Sequence, residues 1–185
     1  MNQPLDTTLF DRAVRLAIEA HGGTERRGKG FPYVLHPLEA ATIVATATND
    51  PEMLAAAVLH DVVEDTDISI DQLRQLFGDR VARLVHTETA PKGLSWRAKR
   101  EHQVARLAAA DRDSQLVALG DKLSNMRAIA LDHAAIGDAL WSRFNAPGGK
   151  QDIAWYYRAL ADALAPLADT AAWREFDALA HSVFD

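Results

Sequence analysis

Ala55-Ala56-Ala57-Val58-Leu59-His60-Asp61-Val62-Val63-Glu64-Asp65-Thr66 is an apolar, helix-forming run that ends in one histidine and three carboxylates. Ala56, Val58, Leu59, Val62 and Val63 cover nearly every direction around a helical axis, so the segment reads as a helix buried all round. Some of its charges must then point inward. On such a helix His60 and Glu64 lie four apart on one face, and so do Asp61 and Asp65. Buried carboxylates are costly unless a cation or hydrogen-bond donors meet them. A metal ion answers that need, and its other ligands can be sought along the chain.

Helical signals dominate on both sides of this run. Leu9, Phe10, Val14, Leu16, Ala17 and Ala20 recur at three and four spacing, with Asp6 or Thr7 as a cap, until His21-Gly22-Gly23. A glycine-punctuated basic loop, Thr24 to Tyr33, leads to Val34-Leu35-His36-Pro37, where Pro37 suits the first turn of a second helix. Asp50-Pro51 reads as cap and first helical residue of the helix that carries His60. Ser69 and Gln72 make a capping box. Pro91-Lys92-Gly93 is a loop, Ser95 caps a basic amphipathic helix from Trp96, and Leu116 to Ile129 forms a long apolar helix with Asp121 and Asn125 embedded in it. After the break at Pro147-Gly148-Gly149, two more helices run through Trp155 and Trp173. With no run of clean alternation, no repeat and no low-complexity linker, the expectation is one all-α domain over residues 1–185, a bundle of about eight to ten helices.

Composition narrows the function. A net charge of −6 argues against broad nucleic-acid binding, yet basic residues are concentrated at Arg26, Arg27 and Lys29 and again at Arg97, Lys99 and Arg100, which suits a small anionic ligand. The absence of cysteine removes disulfides, thiolate nucleophiles and cysteine-type zinc sites. No apolar run reaches the length of a membrane span, and Met1 to Asp6 lacks the basic and apolar regions of a secretory signal, so no membrane is expected and a cytoplasmic location is. Nothing in the sequence specifies an oligomeric state.

Four residues are unusual for where they sit: His36 at a loop-to-helix junction, His60 and Asp61 in the apolar helix, and Asp121 inside the run from Leu116 to Met126. Two imidazoles and two carboxylates suit Mn²⁺, Fe²⁺ or Zn²⁺. Singly, each has a plainer reading, as a structural histidine, a chance pair or an exposed aspartate. His60-Asp61-Val62-Val63-Glu64 is also not the HExxH zinc-protease pattern, because the second histidine is missing.

Taken together, His36, His60-Asp61 and Asp121 have the order of the HD-domain metal-dependent phosphohydrolases. More narrowly, Phe31-Pro32-Tyr33-Val34-Leu35-His36-Pro37, His60-Asp61-Val62-Val63-Glu64-Asp65 and Asp121-Lys122-Leu123-Ser124-Asn125-Met126-Arg127 resemble the hydrolase domain of the RelA/SpoT family, in particular its free-standing small alarmone hydrolases of the metazoan SpoT-homologue type. Phe77-Gly78, Val81 and Thr89 fall where that family has a similar segment. The resemblance covers most of residues 8 to 165.

The resemblance implies that His36, His60, Asp61 and Asp121 are metal ligands, with Mn²⁺ as the ion, and that Glu64 and Asp65 are the catalytic acidic pair. The implied reaction is hydrolysis of the 3′-pyrophosphate of guanosine tetra- or pentaphosphate to GDP or GTP and pyrophosphate. A related HD enzyme acting on another phosphorylated nucleotide, such as NADPH, is the alternative; a non-catalytic nucleotide-binding domain is the third, against which Glu64 and Asp65 count. Arg26 and Arg27 match the family's Arg-Lys pair, although Arg26-Arg27-Gly28-Lys29-Gly30 leaves the lysine role open among neighbouring cations. Arg97, Lys99 and Arg100 lie in its second phosphate-holding region. Asn125, four after Asp121, would face the same pocket, and Tyr156 matches an aromatic near the nucleoside unless it is core. Ser124 stands where larger residues are usual, a departure expected to leave the metal site intact and to bear on nucleoside preference. Leu164 onward carries no functional signal, and no length remains for a synthetase domain.

Overall fold

The computed structural model describes residues 5–88 and 93–185, so Thr89 and the expected loop residues Pro91 and Lys92 lie outside the described residues. The helices are α1 (Thr8–Ala20), α2 (Leu35–Ala45), α3 (Pro51–Leu59), α4 (Val62–Asp65), α5 (Ile70–Phe77), α6 (Asp79–Glu88), α7 (Trp96–Ala108), α8 (Arg112–Ile136), α9 (Lys150–Ala163) and α10 (Ala171–Phe184). A 3₁₀ segment, Gly137–Arg143, follows α8 directly. Among the described residues there is no strand, only one isolated bridge between Glu25 and Pro32 that pinches the base of the basic loop. The expected all-α bundle is what forms.

Local chemistry accounts for most helix starts. Asp50 accepts from the Glu52 and Met53 amides with Pro51 in the first helical position, and Ser69 and Gln72 exchange both bonds of a capping box. Ser95 caps α7 through the Ala98 amide, and Asp111 caps α8 through Ser114. At α1 the expected cap is weaker: Thr7 sits at the N-cap with its hydroxyl donating to the Asp11 side chain and capping no helix amide, while Asp6 accepts from the Thr8 amide. Two of these starts, those of α3 and α8, are tied together by α6, because the Arg80 guanidinium reaches Asp50 and Glu52 at 2.8 Å and Asp113 at 2.9 Å.

α3 is the centre of the bundle. Ala55, Ala56, Ala57, Val58 and Leu59 have no exposed surface, and their small side chains let α1, α2, α6 and α8 all pack against this one helix. α2 and α8 meet most closely at Gly120, where a Cβ would stand 2.7 Å from the Ala40 carbonyl oxygen and 2.8 Å from Val44 Cγ2. No side chain fits there.

One expectation fails. The helix that begins at Pro51 does not run through to Thr66; it ends at Leu59, and a separate single turn, α4, begins at Val62. His60 closes α3 with its own ring, whose Nδ1 lies 2.8 Å from the Ala57 carbonyl oxygen and takes an acceptor that the next turn would have used. Asp61, at φ −94° and ψ −9°, becomes the N-cap of α4 and accepts from the Glu64 and Asp65 amides through its carbonyl. The break turns His60 and Asp61 toward the same point.

Candidate metal centre and substrate cavity

Three elements deliver the four expected ligands. His36 comes from the first turn of α2, His60 and Asp61 from the break after α3, and Asp121 from the middle of α8. One ligand atom each from His36, His60 and Asp121 falls within 4.8 Å of the others. His36 Nε2 lies 3.1 Å from Asp121 Oδ1 and 3.5 Å from Asp61 Oδ2, and His60 Nε2 lies 2.9 Å from Asp61 Oδ2 and 3.4 Å from Asp121 Oδ1. Both imidazoles and Asp121 are buried.

The electrostatics favour a cation at this point. Burial alone would raise the Asp61 carboxyl, but the His60 charge and the His36 and His60 ring nitrogens beside it hold it well below the usual carboxylate range. Burial likewise opposes ionisation of Asp121, and Lys122 with the two histidines outweighs it. For His60 burial pulls the pKa down, yet Asp61 and Asp121 together lift it well above the ordinary histidine value. Two ionised carboxylates therefore draw positive charge to one buried spot. His60 Nε2 is also buried without a hydrogen-bond partner, while its Nδ1 is committed to Ala57. A divalent ion fits these residues: it would take the orphaned lone pair and neutralise the carboxylates.

Around this cluster the remaining groups fall into place at different depths. Tyr33, to which the sequence reading gave no role, donates its hydroxyl to Asp61 Oδ2 and packs between His21, tilted against it, and His36, edge-on. Glu64 is more exposed and ion-paired with Lys99 of α7. Asp65 faces the cavity, where burial and the neighbouring Asp61 and Glu64 charges raise its pKa. Lys122, buried beside Asp121, is a second residue whose place the sequence did not suggest; its adjacency to an embedded aspartate was the one available signal.

Beyond the cluster opens a cavity of about 750 Å³, continuous with the metal end through shared walls at Arg26, Asp65, Arg100, Asn125 and Tyr156. The structure orders the cations of the basic loop. Arg26 reaches inward, donating to Asn125 Oδ1 and lying over the Tyr33 ring; Arg27 stays exposed at the rim. Lys29 is a latch, ion-paired with Asp132 of α8. On α7, Trp96, Lys99 and Arg100 share the face that lines the cavity.

Arg97 does not join them. It pairs with Glu101 and lies 3.2 Å over the Trp155 ring, outside the cavity wall, because one residue on from Trp96 is about 100° round the helix from the face that lines the site. Tyr156 is buried, as core packing would have it, with its hydroxyl 3.2 Å from Gln103 Oε1, and one face carries the Arg100 guanidinium at the cavity. Ser124 also departs from expectation. It is absent from the cavity wall and instead bonds His36 and Glu39.

Comparison with known proteins identifies the family. The family model described as HD domain matches residues 13–139. Over 124 residues the chain is 36% identical to a guanosine-3′,5′-bis(diphosphate) 3′-pyrophosphohydrolase of Danio rerio, covering 65% of this chain and 69% of that protein. It is 39% identical over 127 residues to a probable enzyme of the same name from Synechocystis, of which it spans only 17%. A solved structure of a metazoan ortholog of SpoT, described as hydrolysing ppGpp, superposes with a TM-score of 0.77 at 26% identity, over 98% of each chain.

Proposed function

Because the chain belongs to the HD-domain family, as a relative of the guanosine-3′,5′-bis(diphosphate) 3′-pyrophosphohydrolases, we propose that it hydrolyses the 3′-pyrophosphate of guanosine tetra- and pentaphosphate. The observation that carries the reading is the juxtaposition of a buried two-histidine, two-carboxylate cluster with a cavity walled by arginine and lysine. An acidic site alone would repel such a substrate; the cations around it make a polyanion acceptable.

His36, His60, Asp61 and Asp121 would hold the ion, which we take to be Mn²⁺. When bound, it would supply Lewis-acid stabilisation of phosphoryl charge. The protein's own groups do the rest. Arg26, Arg27, Lys99 and Arg100 bind phosphate oxygens, the arginines through paired N–H donors. Asn125 and Tyr156 flank the nucleoside. Water attacks the phosphorus attached to the ribose 3′-oxygen, the P–O bond to that oxygen breaks, and the 3′-oxygen takes up a proton to leave as the hydroxyl of GDP or GTP. Asp65, with its raised pKa, accepts the proton of the attacking water, and Glu64 orients it.

The test is to incubate the purified chain with Mn²⁺ and a panel of nucleotides and separate the products by chromatography. Pyrophosphate should appear from guanosine tetraphosphate, with Asp65→Ala slower by roughly 10²- to 10⁴-fold, the usual worth of a general base. Turnover of NADPH beside an inert alarmone would transfer the assignment to another phosphorylated nucleotide; no turnover of any nucleotide would end it.

A second expectation separates a cation on the cavity wall from the one that faces away from it. Arg26→Ala should raise KM for guanosine tetraphosphate by roughly 10-fold or more, since a hydrogen bond to a charged group is worth about 1.5–3 kcal/mol. Arg97→Ala, whose guanidinium faces Trp155 and Glu101, should leave KM within about twofold in the same steady-state assay.

A further inference from the structure

Four groups outside the cavity form a chain that ends on a metal-ligand candidate. The His36 ring is 3% exposed, and its Nδ1 lies 2.8 Å from Ser124 Oγ. Ser124 Oγ donates onward to Glu39 Oε2 at 2.7 Å. Glu39 Oε1 accepts from Arg127 at 3.1 Å, and Arg127 is clamped in turn by both carboxylate oxygens of Glu175 on α10, at 2.6 and 2.7 Å. Neither Ser124 nor Glu39 lines the cavity, so neither is in reach of substrate.

Proton bookkeeping gives the chain a direction. A serine hydroxyl has one proton and two lone pairs. The carboxylate of Glu39 can only accept, so the Ser124 proton points to Glu39 and its lone pair points to His36. His36 Nδ1 must then carry a hydrogen. Its other nitrogen, Nε2, is the one that faces Asp61 and Asp121. At His60 the same result is obtained from a backbone carbonyl, that of Ala57, which no substitution can remove. At His36 it depends on two replaceable side chains.

We infer that Ser124 and Glu39 are positioning residues, fixing His36 with its Nε2 lone pair toward the metal site, and that Arg127 and Glu175 hold Glu39 in place from the C-terminal helix. The inference rests on the metal-binding part of the function proposed above. Partners of this kind typically change metal affinity by roughly 10- to 100-fold when removed, because they set both the tautomer and the orientation of the ligand ring. Loss of Glu39 frees the Ser124 hydroxyl to turn and donate to Nδ1, which leaves the hydrogen on Nε2, the wrong nitrogen for a ligand. Loss of the Ser124 hydroxyl leaves a buried Nδ1 without a partner and the ring free to tilt. α10, which lies outside the matched HD segment, thereby bears on the metal site.

The experiment uses the full chain and Mn²⁺ alone, with binding followed by calorimetry and the metal-free melting temperature recorded for each variant. Ser124→Ala and Glu39→Ala should each weaken Mn²⁺ by roughly 10- to 100-fold at a temperature where both metal-free variants are fully folded. Wild-type affinity in both variants would overturn the inference and leave the metal site standing, including the case in which melting falls and affinity does not, which marks a purely structural role. Failure of the wild-type chain itself to bind Mn²⁺ would overturn the metal reading beneath it and the positioning roles with it.

Discussion

Asp121→Asn is expected to abolish tight Mn²⁺ binding and to lower turnover of guanosine tetraphosphate by on the order of 10³-fold or more, the equivalent of several kcal/mol of lost charge stabilisation. Asp121 sits where the two imidazoles meet: its Oδ1 lies 3.1 Å from His36 Nε2 and 3.4 Å from His60 Nε2, and Asn125 and Lys122 donate to the same carboxylate. Asparagine keeps the size and one acceptor oxygen, so packing within α8 survives. What goes is the negative charge that holds His60, Lys122 and any cation together in a buried place. Calorimetric titration with Mn²⁺ and a product assay on the same preparation, with circular dichroism to confirm folding, decide the matter. Retention of more than a tenth of the wild-type rate would remove Asp121 from the ligand set.

The second large effect concerns spacing rather than charge. Gly120→Ala should cost about 2 kcal/mol net and lower Tm by roughly 4–8 °C. Alanine brings about 1 kcal/mol of helix propensity in its favour. Against that, its Cβ would stand 2.7 Å from a backbone oxygen of α2, which cannot rotate aside as a side-chain tip could. Relief requires α2 and α8 to move apart, and those helices carry His36 and Asp121. Affinity for Mn²⁺ should therefore fall together with Tm, as thermal melting and calorimetry on the one variant would show. A variant as stable as wild type with intact Mn²⁺ affinity would mean that the helix contact has slack and does not set the ligand spacing.

Much of this was readable in the chain itself, for reasons particular to each residue. Asp50-Pro51, Ser69 and Ser95 announce helix starts because capping chemistry is local and needs no partner beyond three residues. Asn125 was placed correctly beside Asp121 by helical spacing alone. The interruption at His60-Asp61 was not visible, because neither glycine nor proline marks it and the deciding bond, from the His60 ring to Ala57, is a choice of rotamer. Arg97 was misplaced by treating a basic cluster as one surface, when a helix sends neighbouring residues in different directions. Ser124 was read as a change in the nucleoside pocket. Its actual partners, His36 and Glu39, are remote in sequence, with His36 lying 88 positions from Ser124. Long-range polar pairing of this kind leaves no periodic trace.

That remoteness has a thermodynamic consequence. The cluster draws on the start of α2, the break after α3 and the middle of α8, with α5, α6 and α7 intervening. In the unfolded chain an ion could collect these groups only by closing long loops against chain entropy. The ion should thus discriminate sharply between folded and unfolded chains, so that its binding stabilises the fold with little offset from the unfolded chain. By mass action that stabilisation is small near half-saturation and reaches about 2.7 kcal/mol at a hundredfold excess over Kd. In a protein built this way, metal supply controls how long the chain stays folded as well as whether its site is loaded.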